Sequence, residues 1–99
     1  MKNDTSPEVI KIIPKSDYRL LVLFENGEER SFDMMPLLDK PIFQPLRNKG
    51  RFKCVKPIPG GIEWSGGKQD LSKDTLYLEG KPIVRKSIQK NNRIGKSIN

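Results

Sequence analysis

The stretch that decides the fold is YRLLVLFENGE, residues 18–28. Its first seven positions are almost all apolar, which is typical of a strand covered on both faces and therefore of a central strand. Asn26 and Gly27 predict a two-residue hairpin turn, because a type I′ turn needs positive φ at both of its central residues. With that loop, Leu21 lies opposite Phe32 on one face of the sheet, and the neighbours of Leu21 point to the other face.

Four more short strands are predicted outward from this hairpin. Residues 9–13 are a β-branched run that ends at a proline, and residues 28–32 form the second arm of the hairpin. The charged residues of 28–32 suit an outer strand whose edge is exposed to water. Residues 52–56 and 62–64 are two further candidates, separated by a turn rich in Pro and Gly.

Short helices are predicted between and after the strands. Three prolines (Pro36, Pro41 and Pro45) exclude one continuous helix before Gly50, although each is tolerated in a first helical turn. Ser72 is expected to cap a helix over residues 73–78 that ends at Gly80. The predicted fold class is α+β, a small twisted antiparallel sheet of about five short strands with one or two short helices on one face. The predicted core comprises Val9, Ile13, Leu20 to Phe24, Phe32, Leu38, Phe43, Leu46, Phe52, Val55, Ile62, Trp64, Leu71 and Leu76.

Charge divides the chain into a domain and a tail. The 99 residues, with a net charge of +7, allow a single domain. We expect a compact domain over residues 1–80, which hold 13 Lys or Arg and 12 acids, and a basic C-terminal tail over residues 81–99. The tail has no acid and no aromatic residue, and its cations are Lys81, Arg85, Lys86, Lys90, Arg93 and Lys96.

A second group of cations lies between Asp39 and Glu63. That interval contains no acid and six cations, which are Lys40, Arg47, Lys49, Arg51, Lys53 and Lys56. The four at positions 47, 49, 51 and 53 would project to one side of an extended chain. Such a face suits a phosphate backbone or an acidic partner protein. The alternative is an ordinary solvated face with a tail that only adds solubility.

The residue types that catalysis and metal binding use most are scarce. The chain has no His and one Cys, which excludes Ser-His-Asp and Cys-His arrangements and multi-cysteine zinc sites. Glu63, Asp70 and Asp74 could hold a hard cation such as Mg²⁺, but backbone amides of a loop and a helix N-terminus account for the two aspartates more simply. Cys54 is expected to be a small, partly buried residue of a strand, and Trp64 to anchor the core. We therefore predict no catalytic site, no metal and no cofactor.

Membrane association and secretion are not expected either. The longest apolar run, residues 20–24, is far too short to span a bilayer. Met1 is not followed by the apolar segment of a signal peptide. The sequence therefore predicts a cytoplasmic protein.

Three further stretches follow the opening hairpin in a set order. They are Phe32-Asp33-Met34 with Leu37-Leu38, then Gly60-Gly61-Ile62-Glu63-Trp64, and finally Asp70-Leu71-Ser72 with Leu76-Tyr77. Together with residues 18–28, this ordered set resembles a bacterial family catalogued only as domain of unknown function 2442. The resemblance extends over roughly residues 8–78 and rests on the order and spacing of the stretches rather than on fold class alone.

The resemblance implies a compact α+β domain that occurs alone or joined to a helix-turn-helix DNA-binding segment. Stand-alone members are often encoded beside another small protein, in pairs proposed to be toxin–antitoxin-like. It implies no catalytic or ligand residues. This chain departs from the usual family pattern at residues 66–68, where Gly-Gly-Lys replaces a Gly-Ala or Gly-Cys step, and its basic tail is not a recognisable helix-turn-helix. Both departures argue against operator binding.

The expected function is that of a non-enzymatic binding module for a small protein partner. The family resemblance adds the role of neutralising half in a toxin–antitoxin-like pair. The alternative is a nucleic-acid-binding accessory protein that uses residues 47–56 and the tail. The sequence leaves the oligomeric state open.

Overall fold

Seven short strands and five helical segments make up residues 6–84, the part of the chain that the computed structural model describes. The strands are β1 (Val9–Pro14), β2 (Arg19–Phe24), β3 (Glu29–Asp33), β4 (Lys56–Ile58), β5 (Gly61–Trp64), β6 (Gln69–Ser72) and β7 (Lys81–Pro82). The α-helices are α1 (Lys49–Phe52) and α2 (Lys73–Glu79), and 3-10 helices occupy Met35–Asp39, Pro41–Arg47 and Ser65–Gly67.

The strands form two antiparallel sheets. One sheet has the order β1-β2-β3-β7, and the other has the order β4-β5-β6. The α+β class predicted from sequence is confirmed, and β2 is a central strand as its apolar run predicts. The prediction that the second arm of the hairpin lies at the sheet edge is wrong. Strand β7 pairs with β3 through Lys81 opposite Ser31, and the Ile83 amide donates to the Glu29 carbonyl at 2.9 Å.

The β2–β3 hairpin has a three-residue loop, so the predicted register is wrong by one residue. Phe32 lies opposite Leu20, and Leu21 lies opposite Ser31. Of residues 25–27, Gly27 alone has a positive φ, +88°. The side chain of Asn26 accepts a hydrogen bond from the Glu28 amide at 3.0 Å and so holds the turn without a left-handed Asn. This geometry is the three-residue hairpin with glycine in the left-handed position, and it puts Phe32 on the face of Leu20 and not on the face of Leu21.

The core lies between the two sheets and α2. Alternate residues of β2 point into it, and Trp64 lies at its centre with no exposed surface. The Trp64 indole N–H donates to the Phe52 carbonyl at 2.9 Å, which satisfies its one polar group. The buried apolar residues are Val9, Leu20, Val22, Phe24, Phe32, Met34, Leu38, Phe43, Leu46, Phe52, Ile62, Trp64 and Leu76. Met34 is missing from the core predicted from sequence, whereas five residues of that prediction are only half-buried: Ile13, Leu21, Leu23, Val55 and Leu71.

The proline-rich part of the chain is helical in short pieces. The 3-10 helices place Leu38, Phe43 and Leu46 in the core. The predicted strand over residues 52–56 is wrong, because Phe52 ends α1 and β4 begins only at Lys56. Cys54 follows α1 and is exposed, not partly buried in a strand as predicted. Phe52 is therefore held in the core at the end of a helix and not by the strand pairing that residues 52–56 predicted.

Helix α2 has the ends that the sequence predicts. The Ser72 hydroxyl accepts a hydrogen bond from the Thr75 amide at 3.1 Å, and Gly80 follows the last turn. A Cβ at Gly80 would lie 2.4 Å from the Leu76 carbonyl oxygen, so no larger residue fits there without a shift of the backbone. Immediately afterwards, Lys81 and Pro82 enter the sheet as β7. The predicted domain boundary after Gly80 therefore falls before the last described strand.

Candidate interaction surface

The cations predicted to share an extended face lie on helical backbone instead. Arg47 ends the second 3-10 helix, Lys49 and Arg51 belong to α1, and Lys53 follows the last residue of α1. The alternation argument is therefore wrong for these four residues. The Asn48 side chain begins α1 by accepting a hydrogen bond from the Arg51 amide at 3.0 Å. Helical spacing brings positions 49 and 53 to one side and turns position 51 away from them.

Residues 40–56 are called the basic segment below, and their six cations fall into two groups. Arg47 is held within the fold, because its guanidinium donates to the Leu38 carbonyl at 3.1 Å and to the Asp39 carboxylate at 2.9 Å. Lys56 lies 3.6 Å from the carboxylate of Glu63. The remaining four form no ion pair within residues 6–84 and are exposed, so they are available to a partner: Lys40, Lys49, Arg51 and Lys53.

Tyr18 attaches the basic segment to the four-stranded sheet. This residue lies in the β1–β2 turn with a φ of +65°, a left-handed conformation that is unusual for a bulky side chain. Its hydroxyl donates to the Arg47 carbonyl, and its ring packs edge-to-face on Phe52 at 5.1 Å. The Lys49 ammonium lies 5.6 Å from the centre of the same ring. The basic segment is thus fixed in place by contacts of Tyr18 that no local sequence pattern predicts.

Two exposed apolar side chains lie on the two 3-10 helices that Lys40 separates. Ile42 is 59% exposed in the second 3-10 helix, which Lys40 precedes, and Met35 is 53% exposed in the first. The backbone near Ile42 is anchored, because the buried Gln69 side chain donates to the Ile42 carbonyl at 3.3 Å. Residues 35–53, called the helical segment below, therefore expose both cations and large apolar side chains on a supported backbone.

The shifted pKa values belong to two clusters that hold α2 in place, away from the basic segment. A hydrogen bond from Lys73, at 2.6 Å, and one from the Gly60 amide lower the pKa of Glu8, and the same contact raises the pKa of Lys73. Hydrogen bonds from Tyr77 at 2.6 Å and Arg30 at 2.7 Å lower the pKa of Glu28. Both clusters connect α2 to the hairpin sheet and stabilise the fold.

The remaining candidate residues are distributed as follows. Lys81 is exposed in β7, whereas Arg85, Lys86, Lys90, Arg93 and Lys96 lie outside the described residues. In the described part of the chain, no three Cys, Asp or Glu side chains are grouped as metal ligands would be. Asp74 lies in the first turn of α2, as expected for an acid at a helix N-terminus. Across residues 6–84, no helix has the length and apolar character that a membrane crossing requires.

Sequence reasoning missed the exposed pair Met35 and Ile42 and the Tyr18 attachment. The prolines beside Met35 and Ile42 were a usable signal, because short 3-10 turns cannot bury every apolar side chain they carry. Nothing comparable marks Tyr18, since its partners are 29 or more residues away in the chain.

Comparison with known proteins gives one match. The model of a family described as protein of unknown function (DUF2442) matches residues 9–82. Neither the curated proteins nor the solved structures contain a match to this chain. The matched range ends at Pro82, the last residue of β7, so the last strand of the hairpin sheet is part of the family domain.

Proposed function

We propose that this chain, which belongs to the DUF2442 family of proteins of unknown function, is a non-enzymatic binding module for a small protein partner in the cytoplasm. The resemblance described from the sequence supports a role as the neutralising half of a toxin–antitoxin-like pair. In that role the chain acts by occupying a surface of its partner. It needs no reactive group of its own, in keeping with a sequence that lacks histidine.

The observation that carries the proposal is the mixed surface of the helical segment. Met35 and Ile42 are exposed on the two 3-10 helices that Lys40 separates, and Lys40 forms no ion pair in the described part of the chain. Large apolar side chains lose free energy when they leave water, by about 25 cal/mol for each Å² buried. A protein partner offers both apolar surface and carboxylates, whereas a phosphate backbone offers only the anions. The combination favours protein.

The test uses the protein encoded by the adjacent gene as the probe. The full chain is mixed with that purified protein, and binding is measured by isothermal titration calorimetry. We expect Ile42→Ser and the pair Lys40→Gln with Lys49→Gln each to weaken binding by about tenfold, since tenfold corresponds to roughly 1.4 kcal/mol.

Leu78→Ser is the matched control, because Leu78 is 75% exposed and lies on α2, outside the helical segment. Its binding should equal that of the unmodified chain. Failure of the adjacent protein to bind at all, or equal weakening by the control, would contradict the proposal.

A second candidate function, nucleic-acid binding, is favoured by one observation. Between Asp39 and Glu63 the chain carries six cations and no acid, and four of the six are uncommitted among the described residues. Binding of random duplex DNA should then weaken with salt, with a logarithmic slope of about 0.9 for each phosphate contact. A chain that binds DNA steeply in this way, and ignores the adjacent protein, would make nucleic acid the partner.

A further inference from the structure

The turn between β2 and β3 contains a residue pair with a reactivity of its own. In an asparagine followed by glycine, the backbone nitrogen attacks the asparagine carboxamide readily, because glycine has no side chain to shield that nitrogen. Asn26 and Gly27 form this pair, and both residues are exposed. A Cβ added at Gly27 would meet no atom within 4 Å. Steric crowding at Gly27 therefore does not prevent the reaction.

The reaction, a deamidation, has two steps. The Gly27 nitrogen bonds to the carboxamide carbon of Asn26, the bond from that carbon to Nδ2 breaks, and ammonia leaves with the proton that the Gly27 nitrogen gives up. Water then adds to either carbonyl carbon of the resulting cyclic imide and opens the ring. Position 26 becomes aspartate or isoaspartate. The exchange consumes water and releases ammonia, with no oxidant, reductant or cofactor.

Three hydrogen bonds hold both reacting groups in the folded turn. The Gly27 amide donates to the Phe24 carbonyl at 2.9 Å, so its proton is already engaged. Asn26 Oδ1 accepts from the Glu28 amide at 3.0 Å, and Asn26 Nδ2 donates to Glu28 Oε2 at 3.0 Å. The carboxamide is thus held at both of its polar atoms. The reaction requires the turn to open, because the nitrogen must lose its proton and the carboxamide must turn toward it.

The carboxylate that holds Asn26 also holds α2. Hydrogen bonds from Tyr77 at 2.6 Å, from Arg30 at 2.7 Å and from Asn26 lower the pKa of Glu28. Aspartate at position 26 would put a carboxylate oxygen where Nδ2 now donates, so two like charges would stand side by side. Isoaspartate would in addition lengthen the backbone of the loop by a methylene group. Either product weakens the connection between the turn and α2.

We propose that Asn26 is a deamidation site that the folded turn holds in check, and that its products loosen α2. The inference goes beyond the proposed function and is independent of it, since the reaction needs no partner. The rate follows the fraction of time for which the turn is open, because only an open turn frees the Gly27 nitrogen and the carboxamide together. A chain whose turn stays open long enough is permanently altered at position 26.

The first experiment compares folded and unfolded chains. The full chain is incubated at pH 8 with and without guanidinium chloride, and deamidation of each asparagine is followed by mass spectrometry of peptide digests. A synthetic peptide of residues 22–30 in the same two solutions corrects for the effect of the denaturant on the chemistry. We expect Asn26 to react at least about tenfold more slowly in the folded chain. Asn48 is the internal control and should react far more slowly than Asn26 when unfolded, because Lys49 shields its own nitrogen.

Two results of this comparison would overturn the inference. Equal corrected rates in the two solutions would show that the turn does not hold the reaction in check. If Asn26 kept its amide even in the unfolded chain, position 26 would not be a deamidation site.

A pair of variants then separates opening of the turn from unfolding of the domain. Glu28→Ala removes the acceptor of Asn26 Nδ2 and should speed the reaction in the folded chain by about three- to tenfold, the effect of losing a typical hydrogen bond. Arg30→Gln with Tyr77→Phe is the matched control, because it removes the other two partners of the same carboxylate and keeps the bonds of the turn. Its rate should stay near that of the unmodified chain. Equal acceleration by the control would mean that unfolding of the domain controls the reaction, against the inference.

The effect of the product is tested with Asn26→Asp, compared with Asn26→Ser. Both variants lose the Nδ2 donor, but only aspartate adds a charge beside Glu28. Asn26→Asp should therefore melt at a lower temperature at pH 7, and its α2 amides should exchange hydrogen faster. The difference should shrink in high salt, which screens exposed charges. Equal melting temperatures and equal exchange in α2 for the two variants would contradict the loosening of α2 by the product.

Discussion

The two faces of strand β2 carry nearly the same side chains and have different environments. On the inner face, which points into the core, Leu20 and Phe24 have no exposed surface, whereas on the opposite, outer face Leu21 and Leu23 are half-buried. The difference comes from what lies above each face. Helix α2 covers the inner face, where Tyr77 packs edge-to-face on Phe24 at 5.1 Å. The comparison teaches that the burial of an apolar strand residue depends on whether another layer of the chain reaches its face, and not on the residue type alone.

The largest expected effect comes from truncating one leucine on each face. Leu20→Ala should lower the free energy of unfolding by about 2–5 kcal/mol, because it leaves a cavity in a packed core. Leu21→Ala should cost no more than about 1 kcal/mol, because water already reaches that side chain. Urea-induced unfolding of both variants measures the two values. Equal losses would mean that the outer face is packed as tightly as the inner one.

The next effect concerns the turn that sets the register between β2 and β3. Gly27 has a φ of +88°, and an added Cβ would meet no atom within 4 Å. Gly27→Val should therefore lower the free energy of unfolding by about 1–3 kcal/mol through backbone strain alone. Gly27→Asn is the control, since Asn tolerates the left-handed region, and it should cost clearly less. Equal melting temperatures for Gly27→Val and Gly27→Asn would show that the positive φ of residue 27 does not limit stability.

A smaller effect is expected at the edge of the outer face. Ending the chain after Gly80 removes β7 and the bond from the Ile83 amide to the Glu29 carbonyl, so it should cost about 1 kcal/mol, the net value of a typical hydrogen bond. Ending it after Val84 keeps β7 and should leave the unfolding midpoint unchanged. This pair tests whether the domain predicted over residues 1–80 reaches its full stability without β7. Identical midpoints for the two shortened chains would show that β7 adds no stability.

The smallest expected effect is the pH dependence of the stability that Glu8 and Glu28 contribute by holding α2 on the inner face. The pKa values of Glu8 and Glu28 are lowered, so the unfolded chain takes up protons at these sites before the folded chain does. Their stabilisation is complete above the ordinary carboxyl value and is lost as the pH falls through the lowered values. The raised pKa of Lys73 acts in the opposite sense: the stability that the Lys73 ammonium contributes is lost as the pH rises through this raised pKa.

Melting temperatures between pH 7 and pH 2 measure the carboxylate contribution. Glu28→Gln should flatten the fall in stability at acid pH, because it removes one of the two carboxylates with lowered pKa. Glu79→Gln is the control, since Glu79 is exposed and forms no ion pair in the described residues. If both substitutions changed the dependence of melting temperature on acid pH equally, the lowered pKa of Glu28 would not be the cause of the loss of stability at acid pH.

Local patterns predicted the elements whose causes are local. The apolar run of β2 indicated a central strand, and Ser72 and Gly80 marked the ends of α2 through capping bonds that need only neighbouring residues. Trp64 was predicted to anchor the core because it is the one residue large enough to fill the centre of so small a domain. For the candidate surface, composition predicted which cations stand without acids nearby, but not their arrangement.

Features that depend on distant contacts could not be predicted in this way. Residues 52–56 suit a strand by composition, yet Phe52 ends a helix because Tyr18 and Trp64 pack on its ring. The strand β7 is two residues long and includes a proline, so only its pairing with β3 identifies it. The predicted extended cationic face is not formed, for the same reason: the backbone of these residues is helical, so their side chains do not alternate as in an extended chain.

The sequence by itself determined that the chain would be a small basic α+β domain built on a hairpin at Gly27, because apolar runs, turn residues and caps act over a few neighbouring positions. Only the tertiary structure decided the register of that hairpin, the division into two sheets and the side of β2 that is buried. Those outcomes depend on contacts between residues far apart in the chain, and a shift of one residue in the pairing turns every side chain of one strand to the other face of the sheet relative to its partner strand.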